Sequence, residues 1–337
     1  MWALENRTPY KAERTWLQDV DGGKRWVVVV KGTFDILPNG ETRVAEDQAD
    51  PLLAPEYLGE DGASSLRYES DLIPPKPGTD VYVNGNAHAP GGVPTTRVTV
   101  GLRIGGRPVK VLDVVGDRTF ESDLGRAVPS SPKPFVTKPL VYERAYGGYD
   151  DADPSPAKQA LHASNPVGCG VARTVGRLLG RPAPNIRRAG RGERETVGFG
   201  AVASYWAPRM AYGGTYDAKW VTERKPLLPE DFDPRFHMCA PEDQQFIPHL
   251  RGGERIEVAN MMSTGGLSFE IPKRFIGMST SFSTRSEPVR HRAVLHTVVV
   301  EPDVPRVIVV WHGSLRCQRD ADFLDETTIT EKEYTRL

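Results

Sequence analysis

Residues 25–36 read RWVVVVKGTFDI, a run of β-branched and aromatic residues that predicts a β-strand. The centre of this run, from Val27 to Val30, is apolar at every position, which is typical of a strand buried on both faces of a sheet. The sequence LPNG at residues 37–40 then supplies a turn that ends the strand. We therefore predict that residues 25–36 form the central strand of the fold.

Shorter strand patterns lie on both sides of this segment. Residues 95–104, TTRVTVGLRI, alternate between apolar and polar, and a Gly-Gly pair joins them to residues 108–115, which predicts a β-hairpin. Residues 293–301 and 306–311 predict a second hairpin. Further strands are predicted at residues 65–71, 79–88, 135–146, 255–261 and 267–271. Before the second of these, Pro77-Gly78 fits the centre of a type II turn, in which the glycine takes a positive φ.

The middle of the chain has a different character. Residues 150–250 are rich in proline and glycine, and their helical patterns, such as residues 172–179 and 217–222, are short. We predict a mainly β fold with antiparallel, sandwich-like sheets, a long loop-rich insertion and a few short helices. The predicted regions are an N-terminal β region (1–149), the insertion (150–250) and a C-terminal β region (251–337) that packs on the first. One single domain is the alternative.

Charge and cysteine content exclude several classes of function. The 43 basic and 44 acidic residues nearly cancel, so no global field attracts nucleic acid or an anionic membrane, and a protein partner is expected. The N-terminus lacks a signal-peptide pattern and no apolar run could span a membrane, which predicts a cytoplasmic protein. The three cysteines lie far apart and are predicted to be reduced.

An arginine-rich segment between residues 173 and 194 is an exception to this charge balance. It contains Arg173, Arg177, Arg181, Arg187, Arg188, Arg191 and Arg194. Such a run forms either a solvated surface or a docking patch for an acidic partner.

No motif for catalysis, metal binding or nucleotide binding stands in a suitable context. The chain lacks a G-x-S-x-G elbow and a phosphate-binding P-loop, and its S-x-x-K match at residues 130–133 contains a proline. The histidines lack the spacing of metal ligands. We predict no catalytic residue, no metal and no cofactor.

Three segments combine charged residues with tyrosine and are bounded by glycine or proline. Their candidate partner-binding residues are Arg67, Tyr68, Glu69, Asp71, Lys76, Asp80, Tyr142, Glu143, Arg144 and Tyr146. Tyrosine and arginine often anchor protein interfaces, so these residues are predicted to lie close together as a recognition face. The alternative is a structural lattice in which Arg67 and Glu69 oppose Glu143 and Arg144 across neighbouring strands.

These segments also resemble an uncharacterised-domain family that is encoded beside effector and spike genes in bacterial type VI secretion clusters. The similarity extends over most of the chain. It includes NRTPY (6–10), WVVVVKGTFD (26–35), SLRYESD (65–71), KPGTDV (76–81), GNAHAP (85–90), YERAYGG (142–148), NPVG (165–168), WAPR (206–209), GTYD (214–217), LLPEDFDPRF (227–236), APEDQQ (240–245) and LRGGE (250–254).

Members of that family act as effector chaperones or adaptors, so the resemblance implies a non-catalytic protein that binds a type VI secretion effector and assists its loading onto the spike. Its implied partners are the effector and a spike or spike-tip protein. One alternative is a hydrolase whose site combines dispersed residues such as His88, Asp71 and Glu143. The other is a structural spike component or a carbohydrate-binding module, which would show a symmetric trimer or an exposed aromatic platform.

Overall fold

The computed structural model describes residues 2–192, 194–317 and 320–332. The strands are β1 (Ala3–Asn6), β2 (Lys11–Gln18), β3 (Lys24–Ile36), β4 (Thr42–Val44), β5 (Glu56–Tyr57), β6 (Leu66–Tyr68), β7 (Thr79–Val83), β8 (Asn86–His88), β9 (Arg97–Ile104), β10 (Arg107–Val115), β11 (Phe120–Asp123), β12 (Arg126–Pro129), β13 (Thr137–Pro139), β14 (Tyr146–Gly147), β15 (Tyr149–Asp150), β16 (Ala160–Leu161), β17 (Cys169–Gly170), β18 (Ile186–Arg188), β19 (Gln245–Phe246), β20 (Arg255–Met262), β21 (Gly265–Glu270), β22 (Phe275–Phe282), β23 (Val289–Arg292), β24 (Val294–Glu301), β25 (Arg306–Arg316) and β26 (Leu324–Lys332).

The helices are short, as predicted. The α-helices are α1 (Val175–Leu178), α2 (Ala207–Met210) and α3 (Ala218–Glu223), and the 3-10 helices are Pro90–Gly92, Tyr142–Arg144, Pro156–Lys158, Pro234–His237, Glu242–Gln244 and Ala321–Phe323. The prediction of a mainly β fold is therefore confirmed.

The largest sheet contains the strand that residues 25–36 predict. Its order is β19-β7-β24-β25-β3-β2, with β4 also paired to β3. Strand β3 runs antiparallel to β25 from the Asp35–Arg306 pair to the Arg25–Arg316 pair, so the two ends of the chain meet in this sheet. The hairpin of β24 and β25 confirms the second predicted hairpin, and β9 with β10 confirms the first.

The sheet of β18, β10, β9, β20 and β21 is antiparallel throughout, as predicted, whereas the largest sheet and the sheet of β1, β26, β22 and β23 each contain one parallel pair. Strands β7 and β24 are parallel, with Asp80 beside Thr297, and β1 is parallel to β26. These partners come from distant parts of the chain, so no short turn forces them to run in opposite directions.

Both faces of the largest sheet are buried, as the all-apolar centre of β3 predicted. Val28 and Val30 face a first core, which they share with inward residues of a five-stranded sheet (β18-β10-β9-β20-β21) and a four-stranded sheet (β1-β26-β22-β23). Val27 and Val29 point to the opposite face and are also fully buried. A second core on that face joins Val299 of β24 to residues of the middle segment, such as Trp206.

The middle segment covers the second face with loops and short elements, as predicted, and two predicted strands are shorter than expected. Residues 135–146 form only β13 before the 3-10 turn Tyr142–Arg144, which ends the extended conformation. Residues 65–71 form only β6, because Glu69 and Asp71 leave the ladder to pair with Arg209 and Lys31.

Gly78 is required for the close approach of two backbone segments and not for the predicted turn. Its φ is not positive, so the predicted type II turn is wrong. Instead, a Cβ at this position would lie 2.3 Å from the carbonyl oxygen of Phe246, the residue of β19 that pairs with β7. The glycine therefore allows two backbone segments to approach closely.

We predict that Gly78→Ala lowers the free energy of unfolding by about 1 to 3 kcal/mol, because a backbone carbonyl cannot move aside as a flexible side chain can. Chemical denaturation measures this change. Gly176→Ala is the matched control, since a Cβ there meets no atom within 4 Å, and it should change stability by less than about 0.5 kcal/mol. Equal effects of the two substitutions would contradict the close-approach explanation.

Candidate functional site

The second face of the largest sheet carries charged and polar side chains next to its valines. They lie on four neighbouring strands: Lys31 on β3, Asp80 on β7, Thr297 and Glu301 on β24, and His312 on β25. All five are buried. Because a buried charge is costly unless it is paired, the segments that cover this face must supply complementary groups.

The covering segments supply these groups as ion pairs. The Nζ atom of Lys31 lies 2.8 Å from Oδ2 of Asp71, which also accepts the backbone N–H of Leu52 at 2.8 Å. The Nζ atom of Lys76 lies 2.7 Å from Oδ2 of Asp80, with side-chain exposures of 1% and 0%. These contacts attach residues 71–76 directly to the sheet. We call the segments that pack on this face, residues 52–76, 201–209 and 236–240, the cover.

Asp80 connects a second part of the cover to the same strand. Its carboxylate accepts the backbone N–H of Cys239 at 2.9 Å and that of Ala240 at 3.1 Å. Lys76 in turn donates to Oγ1 of Thr297 at 2.9 Å. The Lys76–Asp80 pair is therefore completed by hydrogen bonds, the condition under which a buried ion pair is tolerated.

A third buried ion pair joins parts of the cover to each other. Arg209 of α2 pairs with Glu69, and it also donates to the carbonyl oxygens of Phe236 at 2.9 Å and Val202 at 3.0 Å. One guanidinium thus holds together segments that are distant in the sequence. We call the three pairs Lys31–Asp71, Lys76–Asp80 and Arg209–Glu69 the ion-pair layer.

Buried histidines next to the ion-pair layer are neutral at pH 7. The rings of His296 and His312 stack with centroids 4.4 Å apart. Nε2 of His312 lies 3.0 Å from the carbonyl oxygen of Ile73, so Nε2 carries the proton, and the buried Nδ1 has no partner among the described residues. Burial lowers the pKa of His312 to about 4, and it also lowers the pKa of His237 to about 4.

An accessible groove opens where the cover meets the end of the sheet. It consists of two adjoining concavities, of about 270 and 740 Å³, that share Leu58, Pro139 and Val141 as lining residues. Leu58 and Val304 expose 50% and 60% of their surface there. We call this feature the Leu58 groove.

The rim of the Leu58 groove is polar and ordered. Tyr68 donates its hydroxyl to Glu301, which also pairs with Arg306, and burial raises the pKa of Tyr68 to about 12. The guanidinium of Arg67 lies 5.0 Å from the centroid of the Tyr68 ring. Arg67 is exposed and forms no ion pair with any residue in the described part of the chain.

The predicted binding residues are divided between the groove and the ion-pair layer. The groove is lined by Arg67, Tyr142, Glu143 and Arg144, and Tyr68 contacts its rim; the ion-pair layer contains Glu69, Asp71, Lys76 and Asp80. Tyr146 lies elsewhere, with its ring 5.2 Å from that of His162. Tyr142 is buried, so little of its surface is accessible to a partner.

The predicted opposition of Arg67 and Glu69 to Glu143 and Arg144 is wrong. Glu69 pairs with Arg209, and Glu143 accepts the N–H of Ser65 at 2.7 Å. The reason is that residues 142–144 form a 3-10 turn, which cannot present a strand ladder to β6.

The residues proposed for a hydrolase site each have a separate partner. His88 lies 2.6 Å from Asp303, Asp71 pairs with Lys31, and Glu143 binds Ser65. These contacts do not unite the three residues in one catalytic arrangement.

Sequence reasoning missed Lys31, Arg209 and Leu58. Lys31 follows four valines in a strand buried on both faces, and a lysine in that context is itself a signal of a buried ion pair. Arg209 and Leu58 give no comparable signal, because their importance depends on partners far away in the sequence.

Within the described residues, no group of three or more His, Cys, Asp or Glu side chains is placed to hold a metal ion. The three cysteines are free thiols. In the described part of the chain, no helix combines the length and apolarity needed to cross a membrane.

Fold and site together define a β-rich protein with an ion-paired cover and an open groove. Residues 21–312 match the family described as an uncharacterized protein conserved in bacteria (DUF2169), and the chain belongs to that family. Comparison with curated proteins and with solved structures finds no match. The matched residues include most of the largest sheet, together with the cover and the groove.

We predict that Asp80→Asn lowers the free energy of unfolding by about 3 to 5 kcal/mol, because it leaves the buried charge of Lys76 without its carboxylate. Denaturation with urea measures the loss. Asp50→Asn is the control: Asp50 pairs with Lys11 at 3.7 Å and its side chain is 82% exposed, so the change should be below about 0.5 kcal/mol. A similar effect of the two substitutions would show that the buried pair is not important for stability.

We also predict that acidification from pH 7 to pH 5 destabilises the fold. An unfolded histidine has a pKa of about 6.5, whereas His312 in the fold has a pKa of about 4, so the unfolded state binds more protons between these values. Stability is therefore complete above pH 6.5 and is lost as the pH falls, by about 2 kcal/mol at pH 5 for one such histidine. Unfolding curves at several pH values test this, and His312→Gln should flatten the dependence. A free energy of unfolding that stays constant from pH 7 to pH 5 would contradict it.

Proposed function

We propose that this protein is a non-catalytic, cytoplasmic bacterial adaptor that binds a type VI secretion effector and assists its loading onto the spike. The observation that carries the proposal is the Leu58 groove, in which exposed apolar residues adjoin an ordered arginine and tyrosine. The resemblance to a family encoded beside effector and spike genes supports the same role.

The composition of the groove suits a protein partner. Leu58 and Val304 remain exposed although the chain buries a large core, and apolar residues grouped in a concave surface are typical of docking sites. Arginine and tyrosine are enriched among the residues that dominate binding energy. Arg67 therefore combines suitable chemistry with an accessible position, and the half-buried ring of Tyr68 lies beneath its guanidinium.

The order of the rim favours binding as well. The hydroxyl of Tyr68 is already fixed by Glu301, and Arg67 already lies over the Tyr68 ring. Little side-chain entropy is then lost when a partner docks. The groove is also supported from below, because Leu66 and Tyr142 line it and belong to the second core.

The proposed mechanism requires only differential affinity. An adaptor that binds the loading-competent form of an effector more tightly than other forms increases the population of that form. It also stabilises the effector against unfolding in proportion to its occupancy.

We predict that an effector encoded near this gene co-purifies with the protein, and that Arg67→Ala weakens this complex about tenfold, as expected for an interface anchor. Binding is measured by isothermal titration calorimetry with the co-expressed effector. The melting temperature of the variant should barely change, because Arg67 is exposed and its removal leaves no buried group unpaired.

Arg290→Ala is the matched control, since Arg290 is exposed on β23 and does not line the groove. It should leave affinity unchanged. If no neighbouring effector associates with the unaltered protein, and deletion of the gene changes neither the abundance nor the solubility of any such effector, the proposed function is wrong.

A further inference from the structure

The two ends of the Leu58 groove differ in charge. The larger concavity is lined by three basic residues, Arg118, Lys133 and Arg144, and by two acidic ones, Asp117 and Glu143. Lys138, just outside the lining, adds a further positive charge next to Asp117. We call this part of the groove the basic end.

Both carboxylates of the basic end are already occupied. Asp117 lies 2.6 Å from Nζ of Lys138 and 3.0 Å from the guanidinium of Arg144, and its pKa is lowered chiefly by the hydrogen bond from Lys138. Glu143 is bound by the N–H and the hydroxyl of Ser65. Even without Arg118, the three cations Lys133, Lys138 and Arg144 outnumber the two carboxylates, so the basic end keeps a net positive charge.

Lys133 is available for an external partner. It is exposed, and its ammonium makes no ion pair with any residue that the structure describes. It also stands on a fixed backbone: a Cβ at Gly116 would lie 1.7 Å from the carbonyl oxygen of Lys133, so the two segments are in direct contact. The N–H of Lys133 donates to the carbonyl oxygen of Asp117 at 3.1 Å.

Apolar surface lies beside these charges. Leu58, Val141 and Pro182 line the same concavity. Pro182 belongs to the arginine-rich segment, in which Arg177 is paired internally with Asp150, whereas the neighbouring Arg181 is exposed. The wall of the basic end is thus continuous with the segment in which the sequence contained an excess of arginine.

We propose that the basic end binds an acidic segment of the partner protein, in which a carboxylate side chain faces Lys133 and an adjacent apolar side chain packs on Leu58 and Val141. The inference rests on the proposed function and specifies the chemistry of the bound segment. Charge complementarity supports it, because an acidic segment would meet the exposed ammonium of Lys133, whereas a basic segment would be repelled by it. The volume of about 740 Å³ is sufficient for a few side chains of an extended peptide.

The test uses the effector that co-purifies with the protein, and synthetic peptides that tile its sequence. Lys133→Glu should raise the Kd of the effector about tenfold, and Arg290→Glu, a charge reversal outside the groove, should leave the Kd unchanged. Raising the salt concentration from 50 to 500 mM should weaken the unaltered complex and should have a smaller effect on the Lys133→Glu complex, since salt screens exposed charge pairs. The tightest peptide should contain Asp or Glu, and replacing that residue by Lys should restore binding to the Lys133→Glu variant.

The outcomes separate the two proposals. If the effector binds the unaltered protein but Lys133→Glu and Arg290→Glu have the same effect, the acidic-segment inference is wrong and the adaptor function stands. If the tightest peptides are basic or uncharged, the inference is also wrong. If no effector binds the unaltered protein, both proposals fail.

Discussion

A sheet that is buried on both faces normally has aliphatic side chains on each of them, whereas here the second face contains the buried charges of Lys31 and Asp80. Neither charge can remain unpaired at such a position, because desolvation of an isolated ion costs several kcal/mol. Each is matched by a residue of the cover, Asp71 and Lys76 respectively. This requirement for pairing decides which loop segments can lie on the sheet and in which place.

These ion pairs fix the position of the cover on the sheet, although the cover has little regular secondary structure. Arg209 extends the same principle within the cover, where it joins Glu69 to two backbone carbonyl groups. The groove is supported by the same core that lies under the cover, since Tyr142 both lines the groove and packs in the second core. A rigid rim on a β scaffold is suited to binding, because its side chains lose little conformational entropy when a partner binds.

Local sequence patterns were sufficient for the regular part of the fold. The four consecutive valines of β3 predicted burial on both faces, and the alternating pattern of β9 and β10 predicted their hairpin. Pairing between distant segments could not be predicted in this way. Strand β7 joins β24 through residues 80 and 297, and Glu69 joins Arg209 across 140 positions, without any local signal of the partner.

The candidate site was predictable to a similar degree. Two of the three segments rich in charge and tyrosine supply residues to the groove, but the pattern did not distinguish accessible residues such as Arg67 from buried ones such as Asp80. That distinction depends on which side of the cover a residue occupies. Leu58 lies in no periodic pattern, so its exposure became evident only from the tertiary structure.

Hydrogen–deuterium exchange on Asp80→Asn tests most directly the claim that buried ion pairs attach the cover to the sheet. Under native conditions, the amides of residues 239–240 and 71–82 should lose protection together, because Asp80 binds the N–H groups of Cys239 and Ala240 as well as Lys76. The hairpin of β9 and β10, which packs in the first core, should keep its protection. A uniform loss of protection across the chain, or no loss in the cover, would contradict this claim.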